Sequence, residues 1–282
     1  MKSLVKRIYS SAPLWAWVVM VICVISLIVG LVISSNRTPP TSPAAPVAPT
    51  PSAIGPTTPP ATVAFMNSAR TDRVQPKMIL LLGDSTGASP KGWSAALGRA
   101  ISGALDRTVA TAYWNPASAK YGVPVDLGQG RNGPIRYWNG SAEGKSANYA
   151  VDNLRGLTTT QTGEAINPDL ILLNFGMSED RTQPLASRIQ PLITALRKKY
   201  PASQIAAIKQ NPSRNSDNSG QVSGYAAAME AEGIQVIDVY SAFPAVATQR
   251  ASLMSDDINP NDEGQKLWTR TVLASFGLSS IS

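Results

Sequence analysis

The sequence has 282 residues, enough for one sizeable α/β domain with further segments, and four of its 25 Lys and Arg residues lie before residue 65. From residue 65 onward 21 basic residues face 18 acidic ones, and this small excess of positive charge argues against a nucleic-acid-binding protein. There is no histidine and only one cysteine, Cys23, so the chain lacks the commonest base and metal ligand and cannot form an intrachain disulfide; we expect no metal and no cofactor.

The first predicted element is a transmembrane helix at residues 14–33. Its twenty residues are almost all apolar and carry no charge, which is the length that a helix needs to cross a hydrocarbon core. Basic residues before it place residues 1–13 in the cytoplasm. A cleaved signal peptide is the alternative, but its apolar region is shorter. We therefore expect a single-pass membrane protein whose C-terminal domain lies outside the cytoplasm.

A proline-rich linker is predicted at residues 34–65. Residues 38–64 contain nine prolines mixed with Thr, Ser and Ala and carry no charge, a composition typical of an extended spacer. The globular domain is then predicted at residues 66–282.

That domain begins with a predicted strand at residues 78–82. Its apolar run, followed by Gly83, Asp84 and Ser85, is typical of a strand buried on both faces of a parallel sheet. The carboxyl edge of such a sheet is where ligands bind, so Ser85 is a candidate nucleophile. The alternative is that Ser85 only caps the helix that follows.

Strands and helices alternate through the rest of the domain. We predict further strands at 109–114, 170–175, 204–209 and 234–239, and helices at 92–105, 147–157, 189–200, 222–232 and 263–276. Residues 115–144 show little periodicity and predict a long functional loop with short strands. The alternation predicts a three-layer α/β/α fold with a mainly parallel, flavodoxin-like sheet.

Four short blocks follow the predicted elements in order. The first is Gly83-Asp84-Ser85, and the second is the segment 139–144, which ends in Gly144. The third is the segment 176–179, which contains Ser178, and the fourth is the segment 256–261 before the last helix.

Together these blocks resemble the SGNH, or GDSL-type, hydrolase family of serine esterases, lipases and carbohydrate O-acyl esterases or transferases. The resemblance covers about residues 76–277. It implies Ser85 as the nucleophile, with Asp84 lining the site beside it. It further implies oxyanion donors at Gly144 and Ser178, and triad partners at Asp256 and Asn259.

Two positions depart from the family pattern: Ser178 replaces an asparagine and Asn259 replaces the catalytic histidine. A serine hydroxyl still donates to an oxyanion, but a neutral amide can neither accept the serine proton nor return it. Asp256 could act on Ser85 through a water. The other candidate bases are Asp257, Glu179 and Asp180.

Aromatic residues are concentrated in and around the predicted loop, where they suit either the core or the stacking of sugar rings at the mouth of the site; they are Tyr113, Trp114, Tyr121, Tyr137 and Trp138. Turn or cap roles are the alternatives for Gly144, Ser178 and the segment 256–259.

Two functions therefore remain from the sequence. In the first, a membrane-anchored serine ester hydrolase or acyl transferase acts on acylated glycan or lipid of the cell envelope. In the second, an inactive relative binds a glycan or acylated ligand in the same cleft. Both predict a small-molecule or polysaccharide ester as the binding partner, a membrane as the anchor, and no nucleic acid.

Overall fold

A computed structural model describes residues 59–278 of the chain. The predicted cytoplasmic segment, the transmembrane helix at 14–33 and the linker up to residue 58 lie outside these residues. Between residues 59 and 278 no helix is long and apolar enough to cross a membrane.

The centre of the domain is a single sheet whose main strands are parallel. In chain order these are β1 (Lys77–Gly83), β2 (Arg107–Asn115), β3 (Lys120–Tyr121), β4 (Val125–Gly128), β5 (Asn132–Asn139), β6 (Leu170–Asn174), β7 (Gln204–Lys209) and β8 (Gln235–Asp238). The spatial order is β3-β2-β5-β1-β6-β7-β8, with β4 paired to β2. Only β3 and β4 run antiparallel to their partner. The predicted α/β class and the mainly parallel sheet are confirmed.

Helices cover both faces of this sheet. They are α1 (Ala61–Thr71), α2 (Ser85–Ala88), α3 (Trp93–Leu105), α4 (Ala147–Asp152), α5 (Leu154–Leu157), α6 (Leu185–Lys199), α7 (Ser219–Ala231), α8 (Ala247–Ala251) and α9 (Asp262–Ser275), with a 3₁₀ turn at Tyr240–Ala242. Alternate residues of β1 enter opposite cores: Ile79 and Leu81 pack with α1, α3 and α9, whereas Leu80 and Leu82 pack with α4 to α7. A strand buried on both faces must be apolar throughout, which is why β1 reads as a continuous apolar run.

Strand β5 was not predicted, because its residues lie within the segment interpreted as a long loop. It runs parallel between β1 and β2, and pairs Leu81 with Asn139. Gly133 and Pro134 near its start weaken the strand pattern. The loop prediction is therefore wrong for this half of the segment, although short strands do lie in the other half.

Helix α1 begins five residues before the predicted domain boundary at residue 66. Its residues Ala61, Phe65 and Met66 are buried in the core that includes β1 and β7. The start of α1 is hard to predict from the sequence, because Pro60 directly precedes its first turn and the prolines before it resemble the linker.

Candidate active site

The helix that follows the turn after β1 is capped by Asp84 and not by Ser85. Asp84 is the N-cap of α2, and its Oδ1 accepts hydrogen bonds from the N–H and the hydroxyl of Thr86 at 3.1 Å and 2.8 Å. The alternative role of Ser85 as a helix cap is therefore excluded by the geometry. Ser85 is the first residue of α2 and is free for another role.

Asp84 is fully buried and does not line the cleft, contrary to the prediction. Besides Thr86, its carboxylate accepts hydrogen bonds from Gln210 Nε2 at 3.0 Å and from the Met177 N–H at 3.0 Å. Burial raises the pKa of Asp84, and the hydrogen bonds from Thr86, Gln210 and Met177 offset this only in part. Asp84 thus ties the turn of β1 to the ends of β6 and β7.

Two glycines of the turn are required by close packing. A Cβ at Gly83 would lie 2.7 Å from the Asn174 carbonyl oxygen, and a Cβ at Gly87 would lie 2.6 Å from Ser141 Oγ. Asn174 Nδ2 also donates to Thr86 Oγ1 at 2.9 Å. The second sequence block, in the segment after β5, contacts the first one directly, because the Ala142 N–H donates to the Gly83 carbonyl oxygen at 3.0 Å.

The hydroxyl of Ser85 has no hydrogen-bond partner within residues 59–278, and its Oγ is shielded from solvent. A buried, unpartnered hydroxyl costs about 1–3 kcal/mol, so it calls for an explanation other than stability. Ser85 lines a cleft of about 400 Å³ together with Asn259 and Pro260 from the segment before α9. The structure thus brings the predicted nucleophile and the predicted histidine position to one cleft.

Asn259 is held by Asp256. Asn259 Nδ2 donates to Asp256 Oδ2 at 2.9 Å, and the backbone N–H groups of Asn259 and Ile258 donate to Asp256 Oδ1 at 2.7 Å and 2.8 Å. Partial burial acts to raise the pKa of Asp256, but these hydrogen bonds outweigh it and lower that pKa below its ordinary value. The carboxylate therefore stays ionised and orients the amide at position 259. Asp256 itself does not line the cleft.

The carboxylates of the other three candidate bases each bind a partner outside the Ser85 cleft. Asp257 Oδ1 accepts the N–H of Asn215 at 2.9 Å, Glu179 accepts the N–H of Ala147, and Asp180 pairs with Arg188. Burial raises the pKa of Glu179, as would suit a base, but this residue does not line the Ser85 cleft. The carboxylates that do line the cleft are Glu143 and Asp262.

Neither predicted oxyanion donor lines the cleft. Ser178 is half-buried, and Gly144 is exposed with a left-handed backbone at φ +64°. Their assignment as donors stays a prediction. The left-handed φ by itself explains a glycine at position 144, because other residues rarely adopt it.

Four of the five aromatic residues proposed for sugar stacking are buried in the core instead: Trp114, Tyr121, Tyr137 and Trp138. Tyr121 contacts both tryptophans edge-on, with ring centroids 5.3 Å and 5.0 Å apart. For these four residues the core alternative is confirmed and the sugar-stacking alternative is wrong, because a ring packed in the core cannot meet a ligand.

Sequence reasoning missed the polar residues that hold the turn, Thr86, Asn174 and Gln210, and the cleft carboxylate Glu143. A signal was available for Asn174 and Gln210, since each directly ends or follows a predicted strand at the carboxyl edge of the sheet. Glu143 lies inside the second block, next to Gly144, and nothing in the local sequence distinguishes it from an ordinary surface carboxylate.

Comparison with known proteins identifies one family. A family model described as GDSL-like lipase/acylhydrolase matches residues 79–272. No curated protein shows significant sequence similarity to the chain.

Solved structures share the fold at low sequence identity. A two-domain esterase active on acetylated mannans has a TM-score of 0.53 at 14% identity, covering 76% of this chain and 51% of that one. A protein described as a candidate GDSL-like lipase from Parabacteroides merdae has a TM-score of 0.51 at 12% identity, covering 72% and 97%. A lipase/acylhydrolase from Enterococcus faecalis has a TM-score of 0.49 at 14% identity, covering 73% and 99%. For the first two structures, the similarity at these identities concerns the fold alone.

Proposed function

Because this chain belongs to the GDSL-like lipase/acylhydrolase family, we propose that it cleaves or transfers the acyl group of an ester, with Ser85 as the nucleophile. One observation carries the proposal: Asp84 and not Ser85 caps the helix α2, and Ser85 lines the same cleft as Asn259. A serine kept at the carboxyl edge of the sheet without a structural hydrogen bond suits a reactive group.

The proposed reaction has two steps. Ser85 Oγ attacks the acyl carbon, its proton passes to the Glu143 carboxylate directly or through a water, and the alcohol leaves with that proton as the acyl-enzyme forms. A water, or a second alcohol in a transfer reaction, then gives a proton to Glu143 as its oxygen attacks the acyl carbon, and the bond to Ser85 Oγ breaks as Ser85 takes up that proton. Asn259 takes no proton in either step, and its amide, oriented by Asp256, positions the substrate or the water.

The rate should be low for this family. A site without one triad member retains roughly 10³ to 10⁴-fold acceleration over water from binding and oxyanion stabilisation. A carboxylate is in general a weaker base than an imidazole, so Glu143 would replace only part of what an imidazole supplies.

The proposed setting is the cell envelope. The predicted span at 14–33 and the proline-rich linker would hold the domain outside the cytoplasm, near acylated glycan or lipid. Activity on acetylated mannans belongs to the two-domain esterase that shares the fold, and it makes an acylated glycan a reasonable substrate to test.

A second candidate function is ligand binding without turnover. Asn259 favours it, because its amide is neutral and its Nδ2 is already engaged with Asp256. In this case the cleft would hold a glycan or acylated ligand, and Ser85 would not react.

Fluorophosphonate labelling of the full-length chain distinguishes the two functions. We expect the probe to modify the wild-type protein and Ser89→Ala, and not Ser85→Ala; Ser89 is the matched control because it lines the same cleft. Glu143→Gln should slow labelling by about 10² or more, the lower end of what general base catalysis contributes.

The same samples are then given short acyl esters between about pH 5 and pH 9, the range in which candidate acids and bases change charge. Absence of both labelling and turnover would overturn the esterase proposal and favour the binding function. Equal labelling of Ser85→Ala and wild type would show that another group reacts.

A further inference from the structure

A groove adjoins the Ser85 cleft. It lies between α3 and α9, has a volume of about 850 Å³, and shares Lys91, Gly92, Asp262 and Gln265 with the cleft lining. Along α9 it extends from Asp262 to Leu273, which is ~17 Å at ~1.5 Å per residue. A substrate longer than a simple ester therefore has a place to lie beside the reactive serine.

The walls of the groove are joined by contacts between α3 and α9. Trp93 of α3 stacks on Trp268 of α9 with ring centroids 5.2 Å apart, and Gln265 Oε1 accepts the N–H of Trp93 at 3.0 Å. Ala96 and Ala100 lie one helical turn apart on the α3 side, and these small side chains leave the space that forms the groove. Because these contacts already hold the two helices together, little free energy would be spent on ordering the groove when a ligand binds.

Positive charge dominates the lining: four basic side chains, Lys91, Arg99, Lys266 and Arg270, face two acidic ones, Asp262 and Glu263. Lys266 is neutralised by Glu263 at 2.6 Å. Lys91, Arg99 and Arg270 form no ion pair within 4.0 Å among the described residues. Arg99 and Arg270 thus offer two guanidinium groups from opposite walls, suited to carboxylates or phosphates.

We propose that this groove binds an anionic polysaccharide and that the ester cleaved at Ser85 is carried on such a chain. The proposal deepens the proposed esterase function and rests on it for the ester, whereas the binding of the chain is a property of the groove alone. The concave shape between two helices favours a single chain over the flat surface of a membrane.

Binding is measured with a probe that carries no ester, polygalacturonate, on the full-length chain in a neutral detergent. We expect binding that weakens as salt is added, because the contacts are ionic. The variant Arg99→Gln/Arg270→Gln should bind about tenfold or more weakly, the loss expected when charged hydrogen bonds are removed. The control Arg155→Gln/Lys198→Gln removes the same charge from exposed positions outside the cleft and the groove, and should bind as the wild type does.

Unsubstituted mannan serves as the neutral chain and should not bind. Equal binding of mannan, equal loss in the control variant, or no effect of Arg99→Gln/Arg270→Gln would each overturn the proposal. Micelles containing phosphatidylglycerol test the lipid alternative: if they occupy the groove and polygalacturonate does not, the proposal is wrong.

The experiment can distinguish failure of the groove proposal from failure of the esterase proposal. Ser85→Ala should bind polygalacturonate as tightly as the wild type, since binding needs no reaction. If Ser85 proves unreactive while polygalacturonate still binds through Arg99 and Arg270, the groove assignment stands and the ester reaction does not.

Discussion

At the scale of single residues, Asn259 is the predicted departure from the family pattern that would remove the base. The amide keeps the hydrogen bond to Asp256 that an imidazole at this position would make, with Nδ2 and Oδ2 2.9 Å apart. The amide cannot accept the proton of a serine hydroxyl as an imidazole would, because an amide is not basic in the physiological pH range. On the proposed assignment of position 259, Asp256 still orients the side chain there, but that side chain cannot act as the base.

Asn259→His should restore the base. We expect turnover of short acyl esters to rise by about 10² to 10⁴-fold, the usual contribution of a general base. The ionised Asp256, whose pKa is lowered by its hydrogen bonds, would raise the pKa of the new imidazole above its ordinary ~6.5. Since only the neutral imidazole accepts a proton, the activity gained should fall as the pH drops below that raised pKa, in a pH–rate profile.

The control for this substitution is Asn259→His combined with Asp256→Asn, which removes the group that orients the ring. Its activity should be lower than that of Asn259→His alone, and its pH–rate profile should shift to lower pH. If Asn259→His folds with an unchanged thermal midpoint but gains no activity, the cleft lacks more than a base.

At the scale of elements, the turn between β1 and α2 is the most constrained part of the site. Its glycines touch β6 and the segment after β5, and Asp84 binds to the segments that follow β6 and β7. Ser85 is therefore positioned by contacts among several strand ends, and not by its own side chain.

Gly87→Ala should disturb this turn, because its Cβ would lie 2.6 Å from Ser141 Oγ and 2.9 Å from Asn174 Nδ2. We expect a loss of about 1–3 kcal/mol, as for other overpacked sites, and a lower thermal midpoint by circular dichroism. Gly103→Ala in α3 is the matched control, since its Cβ would meet no atom within 4 Å beyond its chain neighbours and the backbone of its own helix; it should stabilise by about 0.5–1 kcal/mol through helix propensity. Equal effects of the two would show that the close approach at Gly87 is absent.

At the scale of the whole molecule, the described domain follows a predicted membrane anchor and linker. The full-length chain should sediment with membranes and stay there through an alkaline carbonate wash, because a helix of about twenty apolar residues spans the bilayer. Deletion of residues 1–33 should release the protein, while deletion of residues 1–13 alone should not, which makes the shorter deletion the control. Recovery of a shortened, soluble protein from full-length expression would favour the cleaved signal peptide.

Much of the fold could be predicted from the sequence, because a parallel strand buried on both faces appears as a continuous apolar run. The runs at β1, β6 and β7 are continuously apolar, since both faces of each strand are covered, and Ser85 follows the first of them. Strand β5 carries no such run, and its place between β1 and β2 depends on residues distant in the sequence.

The sequence by itself determined the strand–turn–serine unit, the absence of any histidine and the Asn at position 259. Only the tertiary structure decided that Asp84 caps the turn, that Glu143 and Asp262 are the cleft carboxylates, and that a basic groove adjoins them. The physical reason is that side chains meet in a cleft through the order of the strands and the packing of α3 on α9. Those long-range contacts leave no local pattern in the chain.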